Sequence, residues 1–191
     1  MNANGISKIN LTEGLAARTL CAIAAGAISI TVNTLVLMFA DAIGLVTARG
    51  GLLTLLLQTT GMPLSALNTS AFWHQLGIPS PGLYSIQLIF HFVVGIGMSV
   101  AYGLVVERFL KGSDLVKGLV YAAALWLANA VIILPLIGQG FAGHSVLTIT
   151  GIVYFALAHT LFFVLLATLY GVFLRKSGVE AAAISSSVRG I

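Results

Sequence analysis

Two asparagines and two histidines stand at matched spacing in very apolar surroundings, and of all the side chains in this sequence they are the best placed to do chemistry. His91, Tyr102 and Gly103 in IFHFVVGIGMSVAYG return 68 positions later as His159, Tyr170 and Gly171 in LAHTLFFVLLATLYG. Asn33 in TVNTLVLMF returns 96 positions later as Asn129 in LANAVIILP, and Arg18 aligns with Asp114 at the same offset. Three chemistries fit such a set. Asn33 with His91, and Asn129 with His159, can form hydrogen-bonded pairs that hold helix register where unpaired polar groups are costly. His91 and His159 can act as axial ligands of a b-type haem, with Gly95 leaving room for the macrocycle one turn away. His91, His159, Tyr102 and Tyr170 can also pass protons or bind a small solute along a pathway.

Each of the last two has a difficulty. Phe163 crowds the place equivalent to Gly95, only Arg49 is available on the outer side for haem propionates, and a pathway would lack carboxylates inside the spans.

The elements that must position these residues are membrane helices. A chain of 191 residues that is 59% hydrophobic and 7% charged, with a mean hydropathy of +1.06, does not describe a water-soluble domain. Four segments come near or above the roughly 20 residues needed to cross the hydrocarbon core. They run from Thr19 to Ala40, Tyr84 to Val106, Gly118 to Ile137 and Val146 to Leu174, and none contains Lys, Arg, Asp or Glu. The first apolar run is too long for a cleavable signal peptide and reads as a retained signal anchor.

The expected fold is all-α: a polytopic membrane protein of four transmembrane helices, built as a duplicated pair in one membrane domain over residues 1–191. The first copy covers about 18–110 and the second about 114–176. The offsets 96 and 68 differ by 28, which places an insertion in the first copy, within about 41–83. Counted from the boundary charges Arg18, Glu107, Asp114 and Arg175, the four polar residues lie 15 or 16 positions in. That is about 22 to 24 Å of helix, so Asn33, His91, Asn129 and His159 are expected in one layer of the outer half of the membrane. An 11-residue step keeps Tyr102 on the face of His91 and Tyr170 on that of His159, and Gln87 extends the first stripe outward. Phe155 and Phe163 flank the second stripe, which is drier.

Eight of the nine basic residues fall on one side of such a topology, with only Arg49 opposite. The positive-inside rule makes that side the cytoplasm and puts both termini there. The predicted partner is therefore the lipid bilayer, with a membrane protein or further copies of the chain beside it, and no nucleic-acid surface is formed by charges this scattered. The outer loop from Asp41 to Leu83 carries an apolar stretch at 49–60 too short to span, expected to be interfacial or re-entrant. Trp73 suits the interface, Pro79 and Pro81 break helix before the second span, and the loop reads as a lid or a docking surface.

Close helix packing is expected at Ala22 and Gly26, Gly97 and Ala101, and Ala124 and Ala128, all small residues four apart. Pro135 should bend the third span near its outer end. Residues 177–191 read as a mobile tail.

The sole cysteine, Cys21, excludes an intrachain disulfide and a cysteine-rich metal site. His74 and His144 with Asp41 make a weak metal set, so no metal is assigned. No HExxH, GxSxG or phosphate-binding glycine loop is present. The chain is therefore read as non-catalytic and without a cofactor, haem b being the alternative.

In its size, four apolar spans and long first outer loop, the chain resembles the YagU-like group of small bacterial inner-membrane proteins. The resemblance covers most of the helical region and rests on layout, with no diagnostic motif. It implies an inner-membrane location and a role in envelope or acid stress, and supplies no functional residues.

Overall fold

A computed structural model describes residues 3–48, 50–61, 73, 75 and 82–178, with side chains from residue 14 onward. Among them the chain is helical and holds no strand. Helix α1 runs Ala3–Ala42 and α2 runs Gly51–Thr59. Three long helices follow: α3, Gly82–Phe109; α4, Asp114–Leu136; and α5, Ile149–Lys176. Helices α3, α4, α5 and the Gly14–Ala42 part of α1 are each long and apolar enough to cross a membrane. The expected tail beyond residue 178, together with Arg49, His74, Pro79 and Pro81, lies outside the described residues.

Local chemistry sets the helix ends. Gly112, with φ of 107°, turns the chain between α3 and α4. The Ser113 hydroxyl then accepts the Val116 N–H at 3.4 Å, and Asp114 sits in the first turn of α4, where a negative charge suits the helix dipole. The Thr148 hydroxyl accepts the Gly151 N–H at 3.2 Å at the start of α5, and Arg175 and Lys176 close its last turn. Two helices widen to π geometry in mid-course, at Tyr102–Val106 in α3 and at Asn129–Ile133 in α4. In α4 the Leu134 N–H reaches back five residues to Asn129 O. This is how the chain accommodates Pro135, whose ring would crowd the carbonyl four residues earlier in an α turn.

The chain divides into two compact units. The first holds residues 3–33, 95–122 and 160–178. Here α1 and α3 run past each other as a zip of small residues, each four-residue step forward on α1 matched by one back on α3. A Cβ on Gly103 would lie 2.9 Å from the Ala22 Cβ, one on Gly26 would run into Ser99, and one on Gly95 would lie 2.6 Å from Ile30 Cδ1. A second zip joins α4 to α5. A Cβ on Gly118 would stand 2.8 Å from Val164 Cα and 3.2 Å from the Ala167 Cβ, and one on Gly171 would run into the Asp114 carboxylate.

Small pairs four apart do build these interfaces, but two of the three expected pairs are not the ones used. Ala22 and Gly26 are buried, whereas Gly97, Ala101 and Ala124 are exposed and Ala128 is half-buried. Gly95, Ser99 and Gly103 take their place on α3, and Gly118 and Ala122 on α4. Every pair has the same spacing, so only the rotation of each helix against its neighbours selects among them.

The second unit holds residues 34–48, 50–61, 73, 75, 82–94 and 123–159. Its core joins Leu37, Ala48, Leu134, Leu147, Phe155 and Ala158. The Tyr154 hydroxyl donates to Val36 O at 2.6 Å, which ties α5 to α1. The short α2 lies within the stretch expected to be interfacial or re-entrant. It buries Leu53 and Leu57 against Ile86, Phe90 and Trp73, and leaves Leu52 and Leu56 exposed.

Candidate functional site

Each residue of the expected polar layer lies in a helix long and apolar enough to cross a membrane. Asn33 is 2% exposed and belongs to the first unit, with Ser29 and Ser99 as the other fully buried polar side chains described. His91, Asn129 and His159 are half-buried and belong to the second. His159 Nδ1 lies 3.0 Å from Phe155 O, one turn back on its own helix. A carbonyl only accepts, so Nδ1 carries the proton in this contact, and Nε2 is the ring nitrogen that would hold a lone pair in the neutral form. Its ring also leans on Phe155, centroids 4.2 Å apart. Through Nδ1, His159 thus bonds to its own helix. Asn129 opens the π turn of α4, and Gln87 lies over Gly50, its Nε2 3.1 Å from where a Cβ would stand. The space beside Gly95 that a macrocycle would need is filled by Ile30.

What the fold does gather is a cluster of tyrosines beside a set of ion pairs, all in the first unit. Tyr102 and Tyr170, expected on separate stripes, meet edge to face with centroids 5.7 Å apart, and each is 1% exposed. Tyr121 of α4 joins them at 5.5 Å from Tyr102 and meets Phe163 of α5 edge to face at 4.8 Å. Such contacts stabilise beyond the apolar area they bury, by about 0.5–1.5 kcal/mol per pair. Two of the hydroxyls find backbone acceptors on another helix: Tyr170 donates to Gly103 O at 2.9 Å, and Tyr121 to Met98 O at 3.2 Å.

The ion pairs join the helix ends. Glu107 of α3 accepts from Lys117 Nζ of α4 at 2.6 Å and pairs with Arg18 Nη1 of α1 at 3.4 Å. Arg175 Nη1 of α5 meets Asp114 Oδ2 of α4 at 2.9 Å. Glu107 is the better shielded acid, since its carboxylate and both cations are 15–26% exposed, while Arg175 is 56% exposed. Each described helix of this unit therefore contributes at least one charge.

Sequence reasoning used Arg18, Glu107, Asp114 and Arg175 as markers of depth, repeat and orientation and Lys117 for orientation alone, paired none of them, and passed over Tyr121. The available signal was that Glu107 and Arg175 stand 68 apart and Arg18 and Asp114 stand 96 apart, the two repeat offsets with opposite charges. Chemically the arrangement can fix helices against one another and donate hydrogen bonds to carbonyls. Among the described residues no group of three or more His, Cys, Asp or Glu side chains could hold a metal ion. Of the weak metal set, His144 Nδ1 pairs with Phe141 O at 3.1 Å.

No family model, no curated protein and no solved structure matches the chain.

Proposed function

We propose that this is a multi-pass protein of the bacterial inner membrane, with both termini cytoplasmic, that serves as a non-catalytic component of a membrane complex or homo-oligomer. The observation that carries this reading is how the charged side chains of the first unit are used. Glu107 is spent on Arg18 and Lys117, and Asp114 on Arg175, so charge goes into holding helices together. A catalytic or transport site would keep such groups for a ligand. The orientation is supported by Arg18, Arg108, Lys111, Lys117, Arg175 and Lys176, all of which belong to the first unit. A link to envelope stress rests on the layout resemblance alone.

The duplicated helix pair, with an insertion in its first copy, is part of the same proposal. Arg18 with Glu107 and Asp114 with Arg175 are pairs at equivalent repeat positions, with the signs exchanged. The zips differ in register. The first copy sets Ala22 against Gly103, whereas Gly118, the counterpart of Ala22, meets Ala167 instead of Gly171, a slide of four residues or about one turn.

Native mass spectrometry after purification in mild detergent tests the main reading. A defined homo-oligomer or a co-purifying membrane protein supports it; a partnerless monomer that moves a solute into proteoliposomes refutes it. Haem b is a second reading, favoured by the Nε2 lone pair of His159 and opposed by Ile30 beside Gly95. It predicts a reduced-minus-oxidised b-type spectrum that is lost in His91→Ala and His159→Ala, and a colourless folded protein excludes it.

A further inference from the structure

The π turn of α3 leaves one carbonyl in surplus. The Glu107 N–H donates to Tyr102 O, five residues back, where an α-helix would direct it to Gly103 O. The Tyr170 hydroxyl, arriving from α5, donates to Gly103 O at 2.9 Å in a buried contact. A carbonyl deprived of its helical donor thus receives a replacement from another helix, as burial requires.

The same turn sets where Glu107 points. One extra residue resets the phase of everything beyond it by about one residue step, about 100°. With that reset, Glu107 sits 2.6 Å from Lys117 Nζ and 3.4 Å from Arg18 Nη1. Little else follows the turn. Only Glu107–Phe109 remains helical, Leu110 is extended at φ −88° and ψ 129°, and Phe109 is 78% exposed. This stub can rotate without disturbing a core.

We infer that the Tyr102–Val106 turn is a conformational switch and that the Tyr170 hydroxyl is its clasp. With the clasp made, the turn stays wide and Glu107 bridges α1 and α4. With the clasp broken, the turn closes to α geometry, Gly103 O takes the Glu107 N–H, and Glu107 swings about 100° away from Lys117 and Arg18.

A water-soluble carbodiimide, which joins a carboxylate to a touching amine without a spacer, reads this directly in the full-length protein in mild detergent. Wild type yields a Glu107–Lys117 cross-linked peptide by mass spectrometry. Tyr170→Phe lowers that yield about fivefold or more, as expected when a buried carbonyl loses its donor. Deleting Val105, which is 55% exposed, removes the surplus residue and leaves Glu107 in its inward phase. The deletion therefore restores the wild-type yield in the Tyr170→Phe background. An unchanged yield in folded Tyr170→Phe overturns the inference, and so does a loss that the deletion does not restore. Should Tyr170→Phe fail to fold, the double variant decides: it folds and cross-links like wild type if Tyr170 is the clasp, and fails with the single variant if not.

Discussion

Gly118→Ala should separate α4 from α5, and the structure states by how much. The added Cβ would lie 2.8 Å from Val164 Cα and 2.9 Å from Phe163 O, both backbone atoms that no rotamer change can move aside. Carbon atoms rest at about 3.5–4.0 Å, so the two helices must part by at least about 0.7 Å. That displacement acts on neighbours with little slack. The Asp114 carboxylate is packed against Gly171, and Tyr121 meets Phe163 edge to face at 4.8 Å. Overpacking of this kind costs about 1–3 kcal/mol. Gly97→Ala is the matched control, since a Cβ there meets nothing within 4 Å. It should be neutral or stabilise by up to about 1 kcal/mol through the lost flexibility of glycine. Reversible unfolding in mixed micelles with increasing SDS, followed by far-UV circular dichroism, measures both. Equal midpoints for Gly118→Ala and wild type, or equal losses for the two variants, would refute the assignment of Gly118 to the interface.

Other perturbations test the charges, the loops and the topology. Glu107→Gln leaves Arg18 and Lys117 poorly solvated, at 26% and 15% exposure, without their shared carboxylate. It should cost about 2–3 kcal/mol, somewhat less than breaking a fully buried pair. Arg175→Gln removes a side chain 56% exposed and should cost less than about 1 kcal/mol in the same assay; a larger loss than for Glu107→Gln would invert the ranking argued here. Ala142 holds φ of 54° in the turn between α4 and α5. A left-handed residue with a Cβ costs about 1–2 kcal/mol, so Ala142→Gly should raise the SDS midpoint, and a lowered midpoint would count against this backbone geometry. Single cysteines at Lys111 and Ser145, both exposed, in a Cys21→Ala background, should react with an impermeant maleimide from opposite sides of sealed vesicles. Labelling from one side would contradict the four-span topology.

Much of the layout is legible in the residues themselves. Charge-free apolar runs of about 20 residues admit few structures other than spanning helices, because backbone polar groups in a bilayer must be satisfied within the segment. The four spans therefore come out within a few residues at most ends. Helix α1 is the exception, beginning at Ala3 where a start near Thr19 was expected. The residues 49–60 likewise announced a short non-spanning element, found as Gly51–Thr59. The pairing of side chains was much less legible. Gly95, Ser99 and Gly103 on α3 have the same four-residue spacing as Gly97 and Ala101, and a π turn adds a rotation that helical periodicity cannot foresee.

Sequence alone thus determined that this chain makes four apolar helices, which residues recur at offsets of 68 and 96, and where its charges lie along each helix. These are properties of composition and spacing, and each is decided within one segment. Tertiary structure alone decided which small residues face a neighbour, that Tyr102 and Tyr170 meet, and that Glu107 lies between Arg18 and Lys117. The physical reason is that such facts depend on the rotation and slide of one helix against another. Both are set by close contacts between segments distant in the chain, and a phase shift of one residue in α3 is enough to change them.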